Sequence, residues 1–370
     1  MKTCLVTGGA GFIGSFIVDE LVRRGHRVRI YDNLEPQVHP DGQAPDYLNK
    51  EAEFIQGDVR DYDRLKTALR GVEVVFHKAA MVGVGQSQYQ IKRYVDVNIG
   101  GTANLLDLIA NEKTNVAKMI VAASMSSYGE GQYHCDACGP VDPPLRPEAQ
   151  MARQDWELHC PACGQTVRPL PASEAKRFVS NSIYALTKQM QEEMVLNTGA
   201  TYGIPAVALR YFNVYGPRQS LSNPYTGVAA IFLSRIKSDH PPVIFEDGFQ
   251  TRDFVSVHDI VQANLLAMEQ DTLAGYYNIG AGQPRAIREI AETLIALYGK
   301  NMAPEITAKF RKGDIRHCAA DIRKAQTTFG YAPQVNFADG MRELIQWSET
   351  AASQDKFEEA RQELLKRGLV

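Results

Sequence analysis

The chain contains 370 residues, 44% of them hydrophobic, and its 40 basic and 43 acidic side chains leave a formal net charge of −3. This length can form one large or two modest domains, and the balanced charge gives no reason to expect nucleic acid or a membrane surface as a partner. Because we find no apolar run of roughly 18 residues and a strand begins almost at once, we predict a cytoplasmic globular protein without a membrane-spanning helix or signal peptide.

The first predicted strand and helix enclose a glycine-rich turn. Thr3 to Val6 are apolar enough for a short buried strand, and apolar side chains recur at helical spacing from Phe16 to Val22. Glycine in such a turn lets the backbone approach a pyrophosphate, and the helix N-terminus attracts phosphate groups. The motif therefore predicts a dinucleotide site, built from Gly8, Gly11, Phe12, Ile13 and Gly14.

An acidic side chain ends the second predicted strand. Arg27 to Tyr31 form that strand, and Asp32 follows it, 18 residues after Gly14. A carboxylate at this interval can accept hydrogen bonds from ribose hydroxyls and would repel a 2′-phosphate, so Asp32, with Asn33 beside it, favours NAD over NADP. The alternative is that these two residues only open a loop.

Strands and helices alternate through the following residues, which predicts an α/β fold with a parallel, doubly wound sheet. The further predicted strands are Glu53–Gln56, Val72–His77, Lys118–Ala123 and Ala206–Arg210, and the helices are Asp61–Leu69, Tyr89–Asn111 and Ser182–Leu196. Ligands bind such sheets beyond the carboxyl ends of the strands. We therefore assign Asp58 and Val59 to the adenine, and Ala79 and Ala80 to the flat face of the cofactor.

Three side chains after the fifth strand are candidates for chemistry. Ser124 leaves that strand at its carboxyl end, where a hydroxyl would face the cofactor, although serine also commonly begins a turn. Tyr184 and Lys188 are four residues apart and share a helix face. An ammonium group beside a phenol lowers the pKa of the phenol, so this pair predicts a tyrosine that acts as a base.

The regular alternation ends after the sixth strand, where proline, glycine and aromatic residues become frequent. We predict a dinucleotide-binding domain over residues 1–212 and a mainly substrate-binding domain over residues 213–370. Arg252 and Arg311 each lie near a turn in the second part, where a guanidinium group can bind a diphosphate through forked hydrogen bonds. The alternative is that both are surface arginines with solvated charges.

In their order and spacing these motifs resemble the extended short-chain dehydrogenase/reductase family, and within it the nucleotide-sugar epimerases and dehydratases. The matching elements are Thr7–Gly14, Asp32–Asn33, Gly57–Val59, His77–Ala80, Asn98, Ser124 with Tyr128–Gly129, Tyr184 with Lys188, Arg210–Arg218, Arg252–Val255, Tyr277–Gly280 and Arg311–Asp314. The resemblance implies a Rossmann-type sheet with a smaller C-terminal substrate domain, NAD as cofactor, and a homodimer formed through the helices around Asn98 and Tyr184.

The same resemblance implies a role for each candidate residue. Tyr184 is the catalytic base and acid, Lys188 holds the nicotinamide ribose, and Ser124 hydrogen-bonds the sugar oxygen. Asn98 and the residues assigned above bind the cofactor. The residues assigned to the nucleotide sugar are Ser124, Asn213, Arg252, Arg311 and Asp314.

The residues after Ser124 distinguish reactions within this family. The 4,6-dehydratases carry Thr-Asp-Glu there, because eliminating water needs an additional acid and base. This chain has Met125 and Ser126, neither of which transfers a proton in that role near pH 7. The resemblance therefore implies epimerisation at C4, in which a hydride passes to NAD and returns to the other face of a keto sugar. A nucleotide-sugar reductase or decarboxylase, and a sensor without enzymatic activity, are the alternatives.

Residues 131–172 depart from the family's pattern, since this segment is usually much shorter. They contain two Cys-x-x-Cys-Gly motifs, formed by Cys135 with Cys138 and by Cys160 with Cys163. Four thiolates at this spacing resemble a zinc ribbon, which is a closed structural site. Reduced pairs or disulfides are the alternatives, and a cytoplasmic location disfavours disulfides. Because this insert precedes the helix of Tyr184, we expect it to form a lid or rim over the sugar.

Two stretches bear on the substrate. The insert and Ser222–Gly227 together resemble the dTDP-L-rhamnose 4-epimerases within the family, and the UDP-glucose/galactose 4-epimerases are the neighbouring alternative. The expected partner is therefore a dTDP- or UDP-hexose. Met81–Ser87, at the nicotinamide end, is expected to help choose the sugar.

Overall fold

The computed structural model describes residues 1–351 and 353–369. The strands, in chain order, are β1 Thr3–Thr7, β2 Arg27–Asp32, β3 Glu53–Gln56, β4 Val74–His77, β5 Lys118–Ser124, β6 Gln132–Cys135, β7 Gly139–Val141, β8 Arg168–Leu170, β9 Ala206–Tyr211, β10 Asn213–Tyr215, β11 Val243–Ile244, β12 Thr251–Ser256, β13 Gly275–Ile279, β14 Pro284–Ala286, β15 Glu305–Ile306 and β16 His317–Cys318.

The α-helices, in chain order, are α1 Phe12–Arg23, α2 Tyr62–Ala68, α3 Val84–Ser87, α4 Ile91–Tyr94, α5 Gly101–Asn111, α6 Glu148–Met151, α7 Ile183–Tyr202, α8 Val228–Lys237, α9 Val257–Glu269, α10 Ile287–Tyr298, α11 Arg323–Phe329, α12 Phe337–Thr350 and α13 Phe357–Lys366. A π-helical segment, Val95–Gly100, joins α4 to α5, and a 3-10 turn, Met125–Tyr128, follows β5. Across the described residues, every helix lacks the length or the apolar character that crossing a membrane requires.

The largest layer is a seven-stranded sheet in the order β13-β9-β5-β4-β1-β2-β3, in which every neighbouring pair is parallel. Successive residues of β1 face different cores, since Val6 belongs to one apolar cluster and Leu5 to another. Both faces are therefore covered, as parallel sheets require. The strand order reverses between β1 and β4, which places the ligand crevice at their carboxyl ends. The predicted doubly wound α/β fold is confirmed.

The predicted division at residue 212 needs a correction, because the chain returns to the large sheet after it. Helix α9 packs on α1, and β13 pairs with β9 to form an edge of the sheet. A further parallel strand needs a crossover connection, and α9 provides it. The sequence pattern hid this return because β10, α8, β11 and β12 lie between β9 and α9.

The substrate-side unit is built from the remaining C-terminal elements. Strands β10, β12, β14 and β16 form its sheet, in which β12 is the central strand. Helices α8, α10 and α12 pack together through a shared apolar core that includes Phe232, Leu294 and Leu344. This unit stands at the carboxyl-end side of β9, because β10 begins two residues after β9 ends.

The insert of residues 131–172 forms a separate small layer. Strand β6 pairs antiparallel with β7 and with β8. Tyr133, Leu158 and Val167 form a small core together with Cys135 and Cys160. The end of the insert joins the substrate-side unit through a bridge between Ala172 and Ala320.

Candidate functional site

A cleft of about 680 Å³ runs along the carboxyl ends of the large sheet, between that sheet and the substrate-side unit. Most of the predicted site residues line this one cleft. They are Gly8, Gly11, Phe12, Ile13, Gly14, Asp32, Asn33, Asp58, Val59, Ala79, Ala80, Ser124, Tyr184, Lys188, Asn213, Arg252, Arg311 and Asp314. Residues that are far apart in sequence therefore meet where the strand order predicts a ligand.

The backbone of the glycine loop is packed so closely that side chains at Gly8 and Gly14 would overlap it. Gly8 has φ +68°, and a Cβ there would lie 2.8 Å from the Ala79 nitrogen. A Cβ on Gly14 would lie 2.1 Å from the Gly8 carbonyl oxygen. Helix α1 follows directly, and no side chain in the described part of the chain caps its N-terminus. Its free N–H groups fit the pyrophosphate of a dinucleotide.

Asp32 is held by the loops around it. Its carboxylate accepts the N–H groups of Ala10 at 3.0 Å and Leu34 at 2.9 Å. Burial raises the pKa of Asp32, while these N–H groups act in the opposite direction. The side chain is fixed at the end of β2, in the position where a ribose diol would donate to it.

Asp58 lies beside Asp32 at the same end of the cleft. Asn33 donates its amide to Asp58 at 2.9 Å, and the Arg60 guanidinium donates to both carboxylate oxygens at 2.9 and 2.7 Å. Burial tends to raise the pKa of Asp58, but Arg60 and Asn33 outweigh it and lower that pKa to about 2. An ionised Asp58 is a hydrogen-bond acceptor that suits an adenine amino group.

Ser124 and Tyr184 bring hydroxyl groups to the middle of the cleft. Ser124 ends β5, and its Oγ accepts the Ser126 N–H at 3.2 Å and the Ser126 hydroxyl at 2.9 Å. Tyr184 lies in the first turn of α7, where its backbone N–H donates to Ser87 Oγ at 3.0 Å. Burial raises the pKa of Tyr184, and the Ser124 hydroxyl acts against that rise.

Lys188 lies one turn further along α7. Its ammonium donates to Gln191 Oε1 at 2.7 Å, and burial lowers its pKa to about 7, against the attraction of Glu192. The predicted lowering of the Tyr184 pKa by Lys188 is therefore not what this structure presents. The phenol is shielded from water, and the ammonium is hydrogen-bonded to Gln191 instead.

Asn98 differs from its predicted role, because it lies outside the cleft lining. Its side chain is fully buried in the π-helical segment. The amide accepts the Met81 N–H at 2.7 Å and donates to the Met81 carbonyl at 3.1 Å and to Thr187 Oγ1 at 2.9 Å. In this structure Asn98 joins the loop after β4 to helix α7, and so positions other residues of the site.

Unpaired amide oxygens mark the substrate side of the cleft. Oδ1 of Asn213 and Oε1 of Gln219 and Gln250 are buried without a hydrogen-bond partner among the described residues. All three residues line the cleft, and a buried polar atom costs free energy unless a partner satisfies it. Asn213 was predicted from the resemblance, whereas Gln219 and Gln250 were missed. Their only sequence signal is their place beside the motifs Arg210–Arg218 and Arg252–Val255.

The two predicted arginines are held differently. The Arg252 guanidinium donates to the carbonyl oxygens of Thr251, Ile315 and Arg316, at 2.7 to 2.9 Å. Arg311 is half exposed and donates to Asp314 at 2.8 Å. Both arginines line the cleft, so this wall carries cationic groups for a diphosphate.

The four cysteines of the insert meet at one point, with their Sγ atoms within 4.8 Å of one another. Gly139 and Gly164, which follow the two motifs, have φ +82° and +76°. Backbone N–H groups of Cys163 and Ala162 lower the pKa of Cys160 to about 7. These thiols and turns have the chemistry of a tetrahedral thiolate site.

The expected lid over the sugar is wrong. Among the described residues, the lining of the cleft includes none of residues 131–172. The insert instead lies behind the loop that carries Arg311 and Asp314, because Arg146 donates to the Asp314 carbonyl. Proximity in sequence to α7 did not predict proximity in space.

The sequence profile described as "NAD dependent epimerase/dehydratase family" matches residues 4–149 and 162–280. The chain belongs to this family. A dTDP-L-rhamnose 4-epimerase from Burkholderia thailandensis is 36% identical over 353 residues, which cover 94% of this chain and 94% of that protein. The predictions of an NAD-dependent enzyme and of this epimerase and dehydratase family are confirmed.

Solved structures of family members have the same architecture. The UDP-glucose 4-epimerase of Thermotoga maritima with UDP-glucose has a TM-score of 0.76 and 31% identity, and the match covers 94% of this chain and 98% of that one. The UDP-glucose 4-epimerase of Thermus thermophilus in complex with NAD has a TM-score of 0.75 and 30% identity, covering 95% of this chain and all of the other.

Proposed function

We propose that this family member is a nucleotide-sugar 4-epimerase that inverts C4 by removing and returning a hydride. The observation that carries the proposal is the meeting of Ser124 and Tyr184 in a dinucleotide cleft where neither Met125 nor Ser126 supplies a second acid or base. Among the described lining residues, none of the carboxylates follows Ser124 in the position of the dehydratase acids. Asp32, Glu35 and Asp58 are at the β2–β3 end, and Asp314 and Glu246 are paired with arginines.

The side chains of the cleft divide the work of the reaction. NAD, when bound, would supply two things: a group that accepts a hydride and returns it, and a positive charge beside the tyrosine. Tyr184 accepts the proton of the C4 hydroxyl, and Ser124 hydrogen-bonds the C4 oxygen. Lys188 holds the cofactor ribose, and the positive charge that the cofactor would bring favours the phenolate form of Tyr184. After the keto sugar has presented its other face, the same tyrosine returns the proton.

The substrate that we propose is dTDP-L-rhamnose, a 6-deoxyhexose. Met81 and Val82 line the cleft in the loop after β4, and Val84 lines it at the start of α3. Met125 lines it directly after Ser124. An apolar surface of this kind suits a sugar methyl group. The similarity to the Burkholderia enzyme supports the same choice. UDP-glucose is the second candidate, because Gln88 and Ser126 in the same region can hydrogen-bond a 6-hydroxyl.

The choice can be tested with a matched panel of substrates. The purified protein is incubated with dTDP-L-rhamnose, UDP-glucose and UDP-glucuronate, and the products are identified by NMR. We expect dTDP-6-deoxy-L-talose from the first, slower or absent conversion of the other two, and no accumulation of NADH. Release of CO2 would instead indicate a decarboxylase. Net formation of one NADH per sugar would indicate that the sugar is oxidised and released, as in a dehydrogenase or a reductase running in reverse.

We also propose that Cys135, Cys138, Cys160 and Cys163 hold a structural zinc ion. Zn–S bonds of about 2.3 Å place the four sulfurs of a tetrahedron roughly 3.8 Å apart, which agrees with the spread of the four thiols. We expect one zinc per chain in metal analysis and none in Cys160→Ser. Four thiols that react freely with a thiol reagent in the purified protein would contradict the proposal.

A second copy of this chain is the partner that we propose for the outer face of α4 and α7. Ile91 and Val95 are 48% and 38% exposed, and Leu186 and Met190 are 46% and 40% exposed. The members of each pair are four residues apart. Ile91 begins α4, Val95 begins the π-helical segment that follows it, and both of these elements pack against α7. The four side chains thus form one apolar patch, which supports a homodimer joined by paired helices.

A further inference from the structure

A buried pair of charges connects the cysteine insert to the substrate side of the cleft. The Arg146 guanidinium donates two hydrogen bonds to the Glu246 carboxylate, both at 2.8 Å. The two side chains are only 1% and 3% exposed. Arg146 also donates to the Trp156 carbonyl of the insert at 2.9 Å and to the Asp314 carbonyl at 3.3 Å. One side chain therefore holds both the insert and the cleft wall.

A second buried arginine extends this connection. Arg316 donates to Glu157 at 2.6 and 3.0 Å, to Asp247 at 2.6 and 2.9 Å, and to Glu246 at 3.0 Å. Glu157 also contacts His317, at 3.2 Å. Glu157 lies three residues before Cys160 in the insert. The position of Glu157 therefore depends on how the cysteine motifs close.

The far side of the same loop forms the cleft. Residues 311–315 line the cleft, and Arg252 donates to the carbonyls of Ile315 and Arg316 from the cleft side. The segment 311–316 is thus held between Arg252 on one side and Glu157 with Arg146 on the other. Within the described residues, the insert contributes nothing to the lining itself. The insert therefore reaches the lining indirectly, through contacts of Arg146 with Asp314 of this segment and with Glu246.

We propose that the cysteine insert, closed around its metal, positions the 311–316 segment for binding of the nucleotide diphosphate. Arg146 and Glu157 are its positioning residues, and they act through the segment that carries Arg311. This inference rests on the proposed function, because it takes a nucleoside diphosphate as the ligand of that wall. The NAD-binding end of the cleft lies on β1 and β2, away from the insert, and is independent of it.

The charges explain why the connection is specific. The two arginines are buried among the carboxylates of Glu157, Glu246 and Asp247. All of their guanidinium nitrogens except Nε of Arg146 have a hydrogen-bond partner among the described residues. Glu157→Gln keeps two carboxylates for the two arginines but removes the carboxylate that ties the insert to Arg316 and His317, so the 311–316 loop is free to move. A loop that moves no longer presents a fixed cationic surface to the diphosphate, so the affinity for nucleotide falls.

The test measures nucleotide binding separately from turnover. Calorimetric titrations of dTDP and of UDP into the NAD-loaded protein compare wild type, Glu157→Gln, zinc-stripped wild type and Asp136→Asn. Asp136 is an exposed carboxylate of the insert outside the network, and it provides the matched control. We expect nucleotide Kd and sugar KM to rise about tenfold in Glu157→Gln and in the stripped protein. NAD content and kcat stay within about twofold, and Asp136→Asn behaves as wild type.

The outcomes separate the two proposals. Returning zinc restores nucleotide affinity to the stripped wild type but not to Glu157→Gln. If Glu157→Gln does not fold, Arg146→Lys takes its place, since it keeps the charge and loses the forked geometry. Unchanged nucleotide affinity in a folded variant, or equal losses of NAD content and kcat, would overturn the inference alone. A wild type that binds neither nucleotide would overturn the proposed function, and the inference with it.

Discussion

Tyr184 and Lys188 have opposite pKa shifts from one cause. Burial raises the pKa of the phenol and lowers that of the ammonium to about 7, so both side chains favour their neutral forms in the protein alone. The phenolate that proton transfer requires must therefore be stabilised by the positive charge that arrives with the cofactor. Chemistry and cofactor binding are linked through these two side chains.

Replacing the phenol gives the first prediction. Tyr184→Phe is expected to lower kcat by about 10² to 10⁴, the range for a lost proton-transfer group. In wild type, kcat rises with pH, because the phenol must lose its proton and its pKa is raised. The variant loses that rise and keeps its NAD content. Steady-state measurements of kcat against pH check this. If kcat of Tyr184→Phe still rises with pH as in wild type, the group that takes the proton is not Tyr184.

Lys188 gives a prediction for stability. The folded pKa of about 7 lies below that of an unfolded lysine, so the unfolded chain binds more protons between roughly pH 7 and 10. Burial of the charged lysine lowers the free energy of unfolding, and this loss is therefore largest at low pH and disappears as pH rises through that window. In NAD-free protein, Lys188→Met should gain Tm relative to wild type as pH falls from about 10 to 7. A difference in Tm that is independent of pH would contradict the shift.

At the scale of elements, different glycines of the loop serve packing and cofactor binding. A Cβ on Gly14 overlaps the Gly8 carbonyl, whereas a Cβ on Gly11 meets that oxygen at 3.4 Å. Gly14→Ala is expected to destabilise the NAD-free protein by about 1–3 kcal/mol, the cost of overpacking. Gly11→Ala should keep the same Tm and lose NAD affinity instead. Thermal unfolding and NAD titration distinguish the two, and equal Tm losses would show that the loop has no such division.

Local patterns predicted the regular elements of the sheet well. Strand β3 has the predicted bounds, and Asp61 caps α2 as expected, with its side chain accepting the Arg64 N–H. Helix α7 runs to Tyr202, six residues beyond the prediction. A glycine and two threonines weaken its last turns, but Gly199 is needed there, because a Cβ would lie 2.5 Å from Ala206. Tertiary packing overrides propensity at this end.

The residues that the sequence did not predict are defined by tertiary contacts alone. Gln219 and Gln250 belong to no repeating pattern, and only the folded chain buries their amide oxygens in the cleft. Asn98 was recognised by its place in a helix, but its partners are Met81 and Thr187. The position of the insert depended on buried charges that pair across more than 100 residues, such as Arg316 with Glu157. No local spacing encodes such pairs.

At the scale of the whole molecule, the chain crosses between its two units more than once. It leaves the large sheet after β9, builds part of the substrate-side unit, and returns through α9 and β13. The cleft between the units is therefore joined by several connections.

The apolar patch on α4 and α7 gives a prediction for assembly. The double variant Leu186→Glu and Met190→Glu should sediment as a monomer, because burying two added charges at a dimer interface is costly. Tyr202→Glu is the matched control, since Tyr202 is 53% exposed at the other end of α7. It should sediment as wild type does. Analytical ultracentrifugation checks both, and a wild-type monomer would contradict the proposed homodimer.

The central claim is that one hydride leaves C4 and returns to the same carbon. The most direct test follows deuterium in dTDP-L-rhamnose labelled at C4, incubated with the protein in ordinary water and examined by NMR. The account predicts a C4-inverted product that keeps its deuterium at C4, with no net NADH. Deuterium lost to solvent, or product inverted at another carbon, would contradict it.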